Sequence, residues 1–114
     1  MPEDLNYRSA VEIMKYTLVC SPDTEEFPLP YCEDDKGNRF SWTPLTDMNQ
    51  VMMVDDELLK QHWALTLKRV ADGRCAAMYE RFHGGWDITD WFHGTPNDAI
   101  LTAALAAKAT EVKP

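Results

Sequence analysis

A chain of 114 residues that is 45% hydrophobic is long enough for one compact domain with a real core and too short for two. Its net charge of −8, from 19 acids against 11 bases, argues against direct contact with nucleic acid or an anionic membrane, both of which need clustered Lys and Arg. Cys20, Cys32 and Cys75 are odd in number and form no CxxC pair, which argues against a disulfide framework and for thiols buried as small apolar side chains.

In chain order, Pro2-Glu3-Asp4 reads as a helix start, with Tyr7, Ala10, Val11 and Met14 on one face. Tyr16 to Cys20 has strand composition, yet it also fits an irregular end to that helix. Ser21 to Pro30 holds three prolines among Asp23, Glu25 and Glu26, so a surface loop is expected. Tyr31-Cys32-Glu33 and Arg39-Phe40-Ser41-Trp42 flank the turn-rich run Asp34 to Asn38 and read as a hairpin, with Gly37 free to take positive φ.

Thr43-Pro44 and Thr46-Asp47 both offer starts for a second helix, whose Met48, Val51, Met52, Leu58 and Leu59 share a face. Asp55 interrupts that stripe; one continuous helix is favoured over a restart at Asp55. Trp63, Leu65 and Leu67 alternate with Ala64, Thr66 and Lys68 as a half-buried strand, and after Ala71 to Arg74 the run Cys75 to Phe82 is its antiparallel partner. Gly84-Gly85 ends the hairpin, and Trp86 to Gly94 is a connector rich in aromatic and acidic residues. The last helix runs from Thr95 to about Lys108. Thr95 is its N-cap, Pro96 its first turn and Asp98 a favourable charge there, and Ile100 to Ala107 is apolar on nearly every side. Residues 109–114 are expected to be a loose tail.

Val11-Glu12-Ile13-Met14, Thr43-Pro44-Leu45-Thr46-Asp47-Met48 and Thr95-Pro96-Asn97-Asp98-Ala99-Ile100 with Ala103-Ala104-Leu105 resemble the phage ABA sandwich domain family, small proteins of bacteriophages and prophages. The resemblance implies an α+β sandwich with helices on both sides of a small antiparallel sheet, a viral or prophage setting, and no catalytic residues. Asp55, where the family pattern is apolar, and the aromatic stretch Trp86 to Trp91 depart from it. The order of elements gives the same α+β class independently.

For chemistry, His62, His83 and His93 with Cys75, Asp87 and Asp90 are the candidate metal ligands, but neither HExxH nor paired CxxC is present. No GxSxG elbow or phosphate-binding loop occurs, and Cys75 lies in a strand, away from any helix start that would activate it. Asp87 and Asp90 fit Asx-turns and caps better than a catalytic pair. The candidate protein-binding residues are Trp86, Asp87, Asp90, Trp91, Phe92 and His93, because large aromatics set among polar groups make interface hot spots. Core packing of both tryptophans over the last helix is the competing expectation, and one ring in with one out satisfies both. The acid clusters Asp23-Glu25-Glu26, Glu33-Asp34-Asp35 and Asp55-Asp56-Glu57 fit a phosphate mimic if not a solvated surface, and Glu33, Asp34 and Asp35 join the binding candidates.

The sequence therefore reads as a small α+β phage or prophage accessory protein of the bacterial cytoplasm, with no signal peptide or membrane span. It is expected to bind a bacterial or phage protein, with inhibition of a defence system such as CRISPR-Cas as one such role. Enzymatic activity, a cofactor, a bound metal and direct nucleic-acid or membrane contact are not expected. The alternatives are an acidic nucleic-acid mimic and a small metal-dependent hydrolytic enzyme, and a homodimer through an open sheet edge is a further partner.

Overall fold

A computed structural model describes residues 5–18, 31–82 and 85–112. The elements follow as α1 (Leu5–Arg8) running into a π-helical turn (Ser9–Ile13), β1 (Thr17–Leu18), β2 (Tyr31–Glu33), β3 (Arg39–Ser41), α2 (Met48–Leu59), β4 (Ala64–Arg69), β5 (Cys75–Phe82), β6 (Trp86–Ile88), β7 (Phe92–Gly94) and α3 (Pro96–Val112). The class is α+β, with two antiparallel sheets, β1-β2-β3 and β4-β5-β6 with β7 also on β5, and helices packed on them. No helix among the described residues is long and apolar enough to cross a membrane.

The last helix is the centre of the core. Thr95 Oγ1 accepts the Asp98 amide at 3.2 Å, the cap expected from the sequence. Ala99, Ile100, Leu101, Ala103, Ala104, Leu105 and Ala107 are all buried. The alanines let α3 lie close against β5 and β7 on one side, and α2 and the π-turn pack on its others. The expected loose tail is corrected in part: α3 continues to Val112, held by Glu111, which accepts Trp63 Nε1 at 2.6 Å.

The expected start Pro2-Glu3-Asp4 lies outside the described residues. From Leu5 the helix buries Asn6, Ser9, Ala10 and Ile13, while Val11, expected on that face, is 46% exposed. The wider π-turn rotates the stripe, and polar partners rather than apolar spacing select it. Ser9 Oγ donates to Asn6 O at 3.1 Å and accepts buried Trp42 Nε1 at 3.0 Å; Asn6 Oδ1 accepts the Leu45 amide at 3.0 Å. Lys15, at φ 61°, ends the segment, and the ambiguous stretch after it forms strand β1 at Thr17–Leu18. Val19, Cys20 and the expected loop at 21–30 lie outside the described residues.

The hairpin β2–β3 forms as expected, with Cys32 opposite Phe40 and Gly37 at φ 87°. For α2 the cap in use is Asp47, which accepts the Asn49 amide at 2.9 Å, and the helix is continuous through Asp55. Its buried stripe is Val51, Val54 and Leu58; Met48, Met52 and Leu59, expected inside, are 43%, 41% and 60% exposed. The β-branched valines are buried in the core cluster, and the long methionines are turned to solvent. The helix closes with His62 N donating to Leu59 O and Trp63 N to Leu58 O, at 2.9 and 3.1 Å, the double bond of a Schellman end.

The β4–β5 hairpin forms as expected, Ala64 opposite Glu80 through Arg69 opposite Cys75. The connector Trp86 to Gly94 is more ordered than expected. It supplies β6 and β7, two pieces of one edge strand, with Phe82 opposite Trp86 and Ala76 opposite His93. Between them Thr89, Asp90 and Trp91 oppose only Met78 and Tyr79, a bulge of one extra residue. Thr89 bridges the gap: its amide donates to Tyr79 O at 2.9 Å and its hydroxyl accepts the Tyr79 amide at 3.0 Å.

Alternation along these strands sorts their side chains. Cys75, Ala77, Tyr79 and Arg81 point to α3 and α2, as do Asp87 and Phe92 across from them. The other side carries Lys68, Ala76 and His93 in one row and Phe82 with Trp86 in another. Where the resemblance implies helices on both sides of the sheet, the described helices meet this four-stranded sheet through its first face.

Candidate protein-binding surface

The uncovered face of the four-stranded sheet gathers large apolar side chains. Phe82, Trp86 and Ile88 are 63%, 64% and 59% exposed, and Trp91 is 37% exposed. Phe82 and Trp86 are direct cross-strand neighbours, their ring centroids 5.3 Å apart at 63°, an edge-to-face contact that fixes both rings without covering them. Trp91 leaves the bulge and reaches across β5 to β4, where Lys68 Nζ lies 4.7 Å from its ring centre, a cation–π contact. Ala76, between Lys68 and His93 in register, is small enough to pass beneath and is 4% exposed.

The competing expectation for the two tryptophans is thereby corrected: neither Trp86 nor Trp91 closes the core, and the buried tryptophans are Trp42 and Trp63. Of the other connector candidates, His93 is exposed on the face, in the row of Lys68 and Ala76, and Asp90 is exposed in the bulge beside it. Asp87 and Phe92 are not part of it. Asp87 Oδ2 accepts Arg81 Nε at 3.1 Å, and Phe92 packs against the core. Phe82, Ile88 and Lys68 are members the sequence reading missed. Strand alternation from Tyr79 outward was the signal for Phe82.

The hairpin acids lie elsewhere and are largely engaged within it. Asp34 accepts the Lys36 and Asn38 amides, both at 2.9 Å, and these bonds, the Asn38 amide first, hold its carboxyl below the ordinary carboxylate value. Glu33 pairs with Arg39 at 3.1 Å, and Asp35 is exposed. Comparison of the chain with family models, curated proteins and solved structures gave no match.

Among the described residues no three His, Cys, Asp or Glu side chains come together at metal-binding distance. His62 sits in the left-handed turn that ends α2, at φ 71°, and His83 lies outside the described residues. Cys32 and Cys75 are buried, so Cys75 is not presented to a substrate. What the open face can do chemically is exclude water from an apolar partner. Phe82, Trp86 and Ile88 are about 60% exposed, so covering what remains is worth about 1–2 kcal/mol each, a contribution toward the roughly 4–15 kcal/mol that association costs.

Proposed function

We propose that the chain acts by binding another protein through the open face of its four-stranded sheet, with Phe82, Trp86, Ile88 and Trp91 as the anchors. The observation that carries this reading is the clustering of these four exposed side chains on a face that no described helix covers. A monomer scatters exposed apolar residues singly, whereas a contiguous patch marks an interaction site. Lys68 and Glu80 leave the face close to neutral although the chain carries −8, which favours hydrophobic contact over attraction of a basic groove.

The proposed setting is that of a small phage or prophage accessory protein in the bacterial cytoplasm, on the strength of the resemblance in Val11 to Met14, Thr43 to Met48 and Thr95 to Leu105. Its partner is then a host or viral protein, and restraint of a bacterial defence such as CRISPR-Cas is the effect to assay. The nucleic-acid mimic is the weaker reading, since Glu33 is paired with Arg39 and the Asp34 carboxylate is taken up by the Lys36 and Asn38 amides of its own hairpin.

Affinity capture from bacterial lysate at low and high salt tests the proposal. A stoichiometric partner that survives high salt and is lost with Trp86→Ala/Trp91→Ala supports it. A partner released by salt alone and indifferent to these tryptophans contradicts it.

A further inference from the structure

The four-stranded sheet has two edges of different character. On one side β6 and β7 are pieces of three residues each, and the bulge at Thr89 breaks their ladder, a feature that discourages further pairing. On the other side β4 runs six residues, from Ala64 to Arg69, without proline or bulge. No strand among the described residues pairs with its outer edge. A charged side chain commonly protects such an edge, but Lys68 is drawn back over the sheet to the Trp91 ring. Leu67 is 44% exposed, and Leu65, two residues before it on the same side of the strand, is partly buried.

Hydrogen-bond parity fixes which backbone groups this edge offers. Val70 N donates to Arg74 O at 2.8 Å, and Thr89 takes up both the amide and the carbonyl of Tyr79 on the far side of β5. Bonded pairs alternate in an antiparallel ladder, so Lys68 with Ala76, Thr66 with Met78 and Ala64 with Glu80 are the pairs bonded within the sheet. The N–H and C=O groups of Leu65, Leu67 and Arg69 therefore point outward, a row that an added strand would meet.

We propose that β4 pairs antiparallel with β4 of a second copy, about a two-fold axis at Thr66, joining the two four-stranded sheets into one. Parity admits only registers that set odd-numbered residues opposite odd ones. With the axis at Thr66, Leu65 of each copy faces Leu67 of the other, and Ala64 faces Lys68. The row of Glu80 and Ala64 then runs on into Lys68 of the second copy, an acid and a base separated by the smallest side chain of the strand. An axis at Leu67 would set Arg69 against Leu65, one at Lys68 would set two lysines face to face, and one at Leu65 would shorten the overlap. Alternation keeps the same side of both sheets outward, so the two uncovered aromatic faces lie on one side of the dimer and present their anchors twice.

Sedimentation velocity over a range of concentrations tests this, with circular dichroism confirming the fold of each variant. The chain should sediment at twice its own mass. Thr66→Lys, which sets two ammonium groups against each other at the axis, should weaken the dimer roughly tenfold or more. Cysteine cross-linking under mild oxidation reads the register, with the wild-type chain as reference. Thr66 lies in a non-bonded pair with its own copy, where Cα atoms are about 4.5 Å apart and within disulfide reach, so Thr66→Cys should give a covalent dimer. Leu67 is offset from its copy by two residues along the strand, beyond the roughly 7 Å that a disulfide spans, so Leu67→Cys should stay uncrosslinked. A monomer at every concentration, a dimer indifferent to Thr66→Lys, failure of Thr66→Cys to cross-link, or cross-linking of Leu67→Cys each overturns the proposal. So does a dimer lost in Trp86→Ala, because the second copy then covers the aromatic face. Only that last result touches the reading of the face as a partner site, so the two can fail separately.

Discussion

The Tyr79 hydroxyl donates to Asp55 at 2.8 Å, joining the centre of the sheet to the middle of α2. This bond explains why an acid interrupts the apolar pattern of that helix: Asp55 satisfies a phenol on a residue that is wholly buried. Tyr79→Phe should cost about 1 kcal/mol by urea unfolding, whereas Asp55→Ala, which leaves a buried hydroxyl unpaired, should cost about 1–3 kcal/mol.

The same contact sets an alkaline limit. Burial first, then the charge of Asp55 and its hydrogen bond, raise the Tyr79 pKa far above the ordinary value of 10.0. The folded state therefore resists ionisation that the unfolded chain accepts. Stability from this group is complete below pH 10.0 and is lost as pH rises beyond it. Unfolding measured between neutral and strongly alkaline pH should show that loss in the wild type and a smaller one in Tyr79→Phe.

Glu111 anchors the end of α3 with the opposite pH sign. It pairs with Arg81 at 3.4 Å and Lys108 at 3.0 Å, and the three side chains are only 17%, 14% and 19% exposed in the order Arg81, Lys108, Glu111, so this is not an ordinary surface bridge. Burial acts to raise the Glu111 pKa, but hydrogen bonds from Lys108 and Trp63 and the charges of Lys108 and Arg81 outweigh it and hold the carboxyl below its ordinary 4.5. The stabilisation is present above 4.5 and disappears as pH falls through the lowered value. Glu111→Gln should cost about 1–3 kcal/mol at neutral pH, and its acid unfolding curve should be shallower than that of the wild type.

His62 closes α2 at φ 71°, a position that glycine fills without strain. His62→Gly should raise stability by roughly 0.5–1 kcal/mol in thermal or urea unfolding. A loss instead would show that the imidazole makes a contribution of its own.

Much of the fold was legible where a backbone signal is local. Thr95-Pro96 announced α3, Gly37 and Asp72-Gly73 announced the two hairpins, and alternation announced β4 and β5. The faces were less legible, because the side an element buries depends on its neighbours. Counting hydrophobicity alone put Met48 and Leu59 on the inner side of α2, but the residues it buries in the core are Val51, Val54 and Leu58. Hydrogen bonding chose Asn6 and Ser9 over Val11 in the first segment, which no hydropathy pattern records. In the candidate site, the orientation of Trp91 depends on the bulge bridged by Thr89, a single hydroxyl replacing a ladder acceptor. Trp86 faces out because it pairs with Phe82, a consequence of register.

Substitutions on the open face should separate stability from binding. Trp86→Ser gives up the ring contact with Phe82 and should cost about 0.5–1.5 kcal/mol of unfolding free energy, while Ile88→Ser, at a residue 59% exposed, should cost about 0.5 kcal/mol. In an interface core the same changes should weaken a partner by about 2 kcal/mol or more, read by calorimetric titration.

The open face is tested most directly by hydroxyl-radical footprinting of the four tryptophans, in the free chain and in complex with its captured partner. Trp42 and Trp63, at 0% exposure, serve as internal references. The account predicts strong oxidation of Trp86 and weaker oxidation of Trp91 in the free chain, little at Trp42 and Trp63, and loss of labelling at Trp86 and Trp91 in the complex. Equal labelling of Trp86 with and without the partner would contradict it.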